Sequence, residues 1–238
     1  MRIALALVAL ALATPGLAKD LVVLQRSETG VPGTQPRDET VYFAGNKVVN
    51  DSATARTIVD LNTQTITAAD KTKRTYHIVT FDELAAQMDA LRKEVDRMPP
   101  EAKKMMGGLF EEGPPVAVKP TGKKAKIAGY EASEYSLKGG PYDGAVWTTE
   151  AIPKPPQFQR WQSIEQSAGA SRGPGRQLGA AMAQLPGFPL RTRIETKAGG
   201  QTFLVSNEVV EVKEGSPPAD VLAIPPGYTL QPLPGPGN

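Results

Sequence analysis

Between Thr40 and Val79, apolar, β-branched and aromatic residues recur in short runs whose links leave room only for a reversal of the chain. Val41-Tyr42-Phe43 ends at Gly45-Asn46 and Lys47-Val48-Val49 resumes at once, the pattern of a hairpin. Runs at 56–61, 65–67 and 74–79 follow, punctuated by Asn62-Thr63 and Asp70-Lys71. A parallel crossover needs about a dozen residues or more, so these runs predict an antiparallel meander. A shorter β-rich run at 21–26 precedes them, set apart by Gly30-Val31-Pro32-Gly33 and Pro36.

After Val79 the period changes from two to 3.6. Thr80 and Glu83 fit a capping box, and Leu84, Met88, Leu91, Val95 and Met98 fall on one helical face. Asp89, Arg92, Lys93, Asp96 and Arg97 fall on the other. Pro99-Pro100 stops this helix and is suited to start a second, where Met105, Met106, Leu109 and Phe110 cluster before Gly113-Pro114-Pro115. Strands are predicted again after Pro120, at 125–128, 129–137 and 145–148, with Gly139-Gly140-Pro141 as a turn. Two more helical patterns follow, one through Phe158, Trp161, Ile164 and Ala168, the other through Leu178, Ala181, Met182 and Leu185, divided by Gly173-Pro174-Gly175. Runs at 190–196, 202–205 and 209–212 predict a further meander turning at Gly199-Gly200, and from Pro225 onward the chain is rich in Pro and Gly.

The N-terminus reads as an export signal. Arg2 precedes an unbroken apolar run at 3–13, Pro15-Gly16 breaks it, and Gly16-Leu17-Ala18 is a small-residue site with cleavage expected after Ala18. Such a run rises about 16 Å as a helix, against a hydrocarbon core of about 30 Å, so it is too short to be an anchor. The expected organisation is a signal peptide at 1–18 and a single domain at 19–230, with helical insertions near 81–112 and 156–186. A disordered tail at 231–238 completes it. The mature chain is expected to lack a transmembrane segment and to reside in the periplasm or outside the cell. With 22 Pro, 23 Gly and 6% aromatics, the composition predicts a loop-rich antiparallel protein, and the modest hydrophobic fraction of the mature chain predicts one wet sheet face. The runs add up to an expected α+β protein with one antiparallel sheet of about nine to eleven strands and two helical insertions.

The chemistry is narrowed mostly by exclusion. The absence of cysteine removes disulfides, thiolate metal sites and a thiol nucleophile. A formal charge of +2 gives no polyanion-seeking excess, so no nucleic-acid partner is expected. His77, the single histidine, sits in a strand pattern and reads as a surface or hydrogen-bonded sheet residue rather than a base or ligand. Gly173-Pro174-Gly175-Arg176-Gln177-Leu178-Gly179 misses the dinucleotide spacing by one residue and reads as a helix-linking loop. No cofactor or metal is expected. Lys123, Lys124 and Lys126 read as a solvated strand start, with phosphate-bearing headgroups as the functional alternative. Asp82, Glu83, Asp89, Glu94 and Glu101 are explained by helix capping and polar faces. The helices hold the candidate ligand-binding residues Met88, Leu91, Met105, Met106, Phe110, Trp161 and Met182. Flexible thioethers suit an irregular apolar groove, ordinary core packing, or, at Met98, Met105 and Met106, copper(I).

A set of short motifs adds a family likeness. Val41-Tyr42-Phe43-Ala44-Gly45-Asn46-Lys47-Val48 comes first, then Thr57-Ile58-Val59-Asp60-Leu61 and Lys73-Arg74-Thr75-Tyr76. Ile127-Ala128-Gly129-Tyr130-Glu131-Ala132-Ser133-Glu134-Tyr135, Trp147, Gly187-Phe188-Pro189-Leu190 and Ile224-Pro225-Pro226-Gly227-Tyr228 follow. In this order they resemble the bacterial exported domain of unknown function 4412 and, more remotely, the LolA/LolB-like periplasmic carriers. Leu222 stands where the family pattern has an aromatic residue. The resemblance implies a strongly curved antiparallel sheet, an incomplete LolA-like β-barrel whose concave face is covered by helices and receives acyl chains. It also implies a non-enzymatic binding protein of the cell envelope for a hydrophobic or amphipathic ligand, such as a lipid or a lipidated protein. The alternatives are a structural or adaptor module that binds another protein through its helical face and Pro-rich tail, and a hydrolase using His77 with carboxylates.

Overall fold

The protein is described by a computed structural model over residues 20–30, 34–99, 114–158, 160, 174–198 and 201–233. Strand β1 (Leu21–Thr29) leads into a meander of β2 (Arg37–Ala44), β3 (Lys47–Ser52), β4 (Ala55–Asp60), β5 (Thr65–Asp70) and β6 (Thr75–Thr80). A second meander holds β7 (Ala117–Ile127), β8 (Tyr130–Gly139), β9 (Tyr142–Thr149), β10 (Phe188–Ala198) and β11 (Gln201–Glu214). With β12 (Thr229–Leu230) they form one unclosed sheet in the order β12-β6-β5-β4-β3-β2-β1-β11-β10-β9-β8-β7. Phe43 on β2 and Phe188 on β10 stand three strand steps apart, about 14 Å on a flat sheet. Their ring centroids are 6.1 Å apart, because side chains converge on the inner side of a curved sheet.

The seam between the meanders is β1, which pairs antiparallel with β2 from Leu21↔Phe43 to Ser27↔Arg37 and with β11 from Leu21↔Glu214 to Thr29↔Val205. The runs expected at 202–205 and 209–212 are one strand of 14 residues. The polar residues Ser206, Asn207 and Glu208, which suggested a break, pair with Arg193, Thr192 and Arg191. A bulge at Val210 then shifts the register, since Leu24 faces Glu211 and Gln25 faces Val209. That shift puts Val209 and Val212 on one side despite their odd spacing.

Two further differences come from sheet edges. The strand expected after Pro120 starts at Ala117 and takes the proline in, across a register shift between Pro120 and Lys124. This is an edge strand, where a missing N–H is tolerated and where bulges and lysines discourage pairing with another chain. The other edge breaks the antiparallel rule, because β12 pairs parallel with β6 and raises the strand count to twelve.

Helix α1 (Phe81–Arg97) starts as its capping box predicts: Glu83 N–H donates to Thr80 Oγ1 at 3.1 Å, and Thr80 N–H to Glu83 Oε2 at 2.8 Å. Phe81 anchors it against Val59 and Leu61, while Leu91 remains exposed. Helix α2 (Pro174–Gln184) opens on the proline expected to precede it and packs Ala181 and the following Leu185 against Val116, Leu137, Val146 and Ile194. The helix expected after Pro99-Pro100, and the one through Phe158 beyond its first residues, lie outside the described residues, as do the signal segment and residues 234–238.

The outer side of the first meander is covered by the chain's own C-terminal region. Val49 and Ile58 pair across β3 and β4 on the side opposite Val48 and Val59, and both are buried. Lys47, Asp51 and Arg56 share that side by alternation. A 3-10 turn (Ala219–Leu222) lies over it: Arg56 Nη1 donates to Asp220 O at 2.8 Å and Ala223 O at 3.0 Å, and Lys47 Nζ to Leu222 O at 3.1 Å. Asp51 holds Arg56, which is 7% exposed, at 2.7 Å and Lys71 at 2.7 Å. The strap then reaches β6, where Thr229 N–H donates to Arg74 O at 3.0 Å and Gln231 N–H to Tyr76 O at 2.8 Å. After a turn at Pro226-Gly227, the Pro-rich region is thus docked on β6 at Thr229–Gln231.

Thr80→Ala should cost about 1 kcal/mol in denaturant unfolding and speed amide exchange in the first turn of α1. The Glu83 carboxyl is held low by the Thr80 backbone N–H and then its hydroxyl, so this stabilisation should be intact above about pH 4.3 and fade as pH falls through the lower folded value. Arg56→Met should cost about 2–4 kcal/mol, since it leaves two carbonyls without their donor and Asp51 with Lys71 alone, and should expose the strap to protease. Burial pushes the Asp51 carboxyl up, but the hydrogen bonds and charges of Arg56 and Lys71 outweigh it and leave it low. Wild-type stability should therefore fall on acidification below about pH 4, and Arg56→Met should flatten that dependence.

Candidate functional site

Where β1 and β10 begin and β2 ends, the converging inner face leaves a pocket of about 230 Å³. Val23 and Gln25 of β1, Val41 and Phe43 of β2, Val48 of β3 and Val209 of β11 supply one wall, all placed there by strand alternation and the Val210 bulge. Phe188 and Pro189 of β10 and Phe158 complete it. Gln25 is the single polar side chain of the lining.

Three phenylalanines close the pocket as a ring cluster. Phe43 meets Phe158 at 6.4 Å and Phe188 at 6.1 Å, both edge-on, and Phe158 meets Phe188 at 6.4 Å. Gly187 allows Phe188 its place: its φ is +65°, and a Cβ there would sit 2.1 Å from Thr149 O. Phe158 comes from the segment after β9, which is latched across the sheet. Gln157 Nε2 donates to Gly45 O at 2.6 Å. Arg160 donates to Asn46 Oδ1 at 2.7 Å and Leu61 O at 3.2 Å. Those acceptors lie at the tip of the β2–β3 hairpin, where Gly45 takes a φ of +54°, and at the end of β4. Lys154 donates to Leu185 O at 2.5 Å and stands 6.0 Å from the Phe158 ring centroid, where burial lowers its amine pKa.

The rim is polar on one side. Gln25 Nε2 donates to Glu39 Oε1 at 2.7 Å, and Ser27 Oγ donates to the same oxygen. Both pairs follow from the β1–β2 register, which sets Gln25 opposite Glu39 and Ser27 opposite Arg37.

The methionine-bearing helices are not gathered at this pocket in the described residues. Met88 is half-buried and Leu91 exposed on α1, while Met182 packs from α2 against the cluster of Leu137 and Val146. Met105, Met106, Phe110 and Trp161 lie outside the described residues. His77 is a hydrogen-bonded sheet residue whose Nδ1–H donates to Gln231 O at 3.0 Å. Lys124 pairs with Glu131 at 2.7 Å and Lys123 with Glu134 at 3.4 Å, so carboxylates already occupy two of the three basic side chains. No group of three His, Cys, Asp or Glu among the described residues could hold a metal. No described helix is long and apolar enough to cross a membrane. The pocket phenylalanines were legible in part: Phe43 and Phe188 lie in two of the motifs that carry the family likeness, each within two residues of a positive-φ glycine.

These features define an open, curved β-sheet protein with a small apolar pocket at one end of its inner face. The family model "Domain of unknown function (DUF4412)" matches residues 28–228, and the chain belongs to that family. An uncharacterized conserved protein from Thermus thermophilus is similar in structure, with 10% identity, a TM-score of 0.48 and 91% of each chain covered. PNGF-II is similar at 11% identity and a TM-score of 0.38, over 90% of this chain and 31% of that one. The LolA superfamily protein NE2245 from Nitrosomonas europaea is similar at 9% identity and a TM-score of 0.32, over 87% and 90% of the two chains. No curated protein matches the chain.

Phe158→Ala should unroof the pocket. Because that ring is half-buried, the expected cost is about 1–2 kcal/mol, with increased fluorescence of a polarity-sensitive dye. Gly187→Ala should instead cost more than about 3 kcal/mol, by backbone strain and collision with Thr149.

Proposed function

We propose that this chain is an exported, non-enzymatic binding protein of the cell envelope, and that its pocket takes the apolar end of a lipid or of a lipidated partner. The observation that carries this reading is the phenylalanine-roofed pocket, apolar but for Gln25, on the inner face of an open sheet. Its volume, about 230 Å³, is below the roughly 300–1,000 Å³ of ordinary small-molecule sites, which suits one chain end rather than a whole lipid. Export rests on the charged, apolar and small-residue pattern of positions 1–18. The Met- and Phe-bearing helices, with Met88, Leu91, Met105, Met106, Phe110, Trp161 and Met182, remain the proposed apolar cover along which the rest of such a ligand lies.

Native mass spectrometry of protein purified from its own envelope should show an alkyl-bearing ligand that organic solvent extracts. Val41→Trp, which fills the pocket from its wall, should lose that ligand while keeping the wild-type circular dichroism. A ligand-free wild type that neither exchanges nor gains thermal stability with added alkyl amphiphiles would refute the reading.

A further inference from the structure

The pocket's polar rim deepens this reading, on which it rests, by specifying the head of the ligand. Along the inner face of β1 and β2 the side chains pass from Leu21 and Phe43, through Val23 and Val41, to Gln25 and Glu39. Apolar lining therefore gives way to hydrogen-bonding groups within two residue pairs. Glu39 is half-buried, and no cation lies within ion-pair distance of it among the described residues. Arg37, two residues along β2 on the same side, makes no ion pair with it. Arg26 on the opposite side is held by Asp38 at 2.7 Å. Ser27 and Gln25 both donate to Glu39 Oε1. The Gln25 amide spends one of its two N–H donors on that bond. The rim thus offers an anionic acceptor, the Glu39 carboxylate, beside a low-dielectric cavity where a charge-assisted hydrogen bond is strengthened.

We infer that this site selects amphiphiles whose head is a cationic hydrogen-bond donor, an alkylammonium, over those with an anionic head, with Glu39 as the residue that sets the preference. The selection runs against the formal charge of +2 on the whole chain, which attracts anions over distance. A preference for the ammonium head therefore reports the local carboxylate.

The test compares decylammonium with decanoate, which share one tail, by titration calorimetry on the whole protein at neutral pH and low salt. Decylammonium should bind about tenfold more tightly than decanoate. Glu39→Gln keeps the hydrogen bonding but removes the charge, and should shrink that ratio to within about threefold while leaving the melting temperature near wild type. Decanoate binding as tightly as decylammonium, or a preference unchanged in Glu39→Gln, overturns the inference and leaves the pocket reading intact. If neither probe binds and Val41→Trp behaves like wild type, the pocket reading itself fails. A Glu39→Gln chain that does not fold is replaced by Glu39→Thr, which also removes the carboxylate and should shrink the same ratio.

Discussion

The pairing of β1 on both sides, with β2 and with β11, is the constraint on which the rest of the molecule depends. Each meander is local and can form from short links, but among the described residues no other strand pairing joins them. The seam closes a loop of nearly the whole chain, which is entropically costly and contributes nothing until the pairing is complete. It also creates the pocket, because the walls come from β1, β2 and β3 on one side of the seam and from β10 and β11 on the other. The bulge at Val210 is part of that construction. Without it Val209 and Val212 would face opposite ways, and one wall would lose an apolar residue.

The two faces of the seam are stabilised by different physics. Inside, Leu21, Val23, Phe43, Leu190 and Val209 belong to one buried cluster. Outside, the register lines up Arg191, Glu208, Arg26 and Asp38 across four neighbouring strands, with Trp147, which also packs against that cluster, opposite Arg191 on β9. Arg191 lies 5.3 Å from the Trp147 ring and 2.7 Å from Glu208, and Arg26 pairs with Asp38. Exposed pairs of this kind contribute little singly, but alternating signs across a sheet penalise a slipped register. The strap reinforces the first meander differently, through a buried guanidinium that joins two backbone oxygens of the strap to the Asp51 carboxylate.

Local features of the fold were legible and non-local ones were not. The Gly45-Asn46 hairpin, the Thr80–Glu83 capping box and the strand runs depend on residues close in sequence, and the structure has them where the pattern puts them. The split of β11 failed because Ser206, Asn207 and Glu208 read as a break along the chain, while their partners lie across on β10. Docking of Thr229 and Leu230 on β6 depends on an open edge that is invisible along the chain. The site is a similar case. Met88 and Met182 carried a periodic signal, while Phe43, Phe158 and Phe188 meet only through curvature and the seam. Their traces in the sequence were the glycines beside two of them, which mark tight backbone rather than a pocket.

Magnitudes decide what such a pocket can do. Burying a methylene gives about 0.8 kcal/mol, so a chain end of six or seven carbons contributes about 5 kcal/mol before the costs of association, which are of similar size. Apolar burial in about 230 Å³ therefore gives weak, quickly reversible binding, and tight retention needs further surface or a polar contact. The roof is suited to exchange for the same reason. Phe158 is held by Gln157 and Arg160 on Gly45, Asn46 and Leu61, and those hydrogen bonds are exchangeable for water at modest net cost. The proposed loading and unloading requires this balance, with a rigid wall built on the seam and a roof held, among the described residues, by hydrogen bonds beside its contacts with the Phe43 and Phe188 rings.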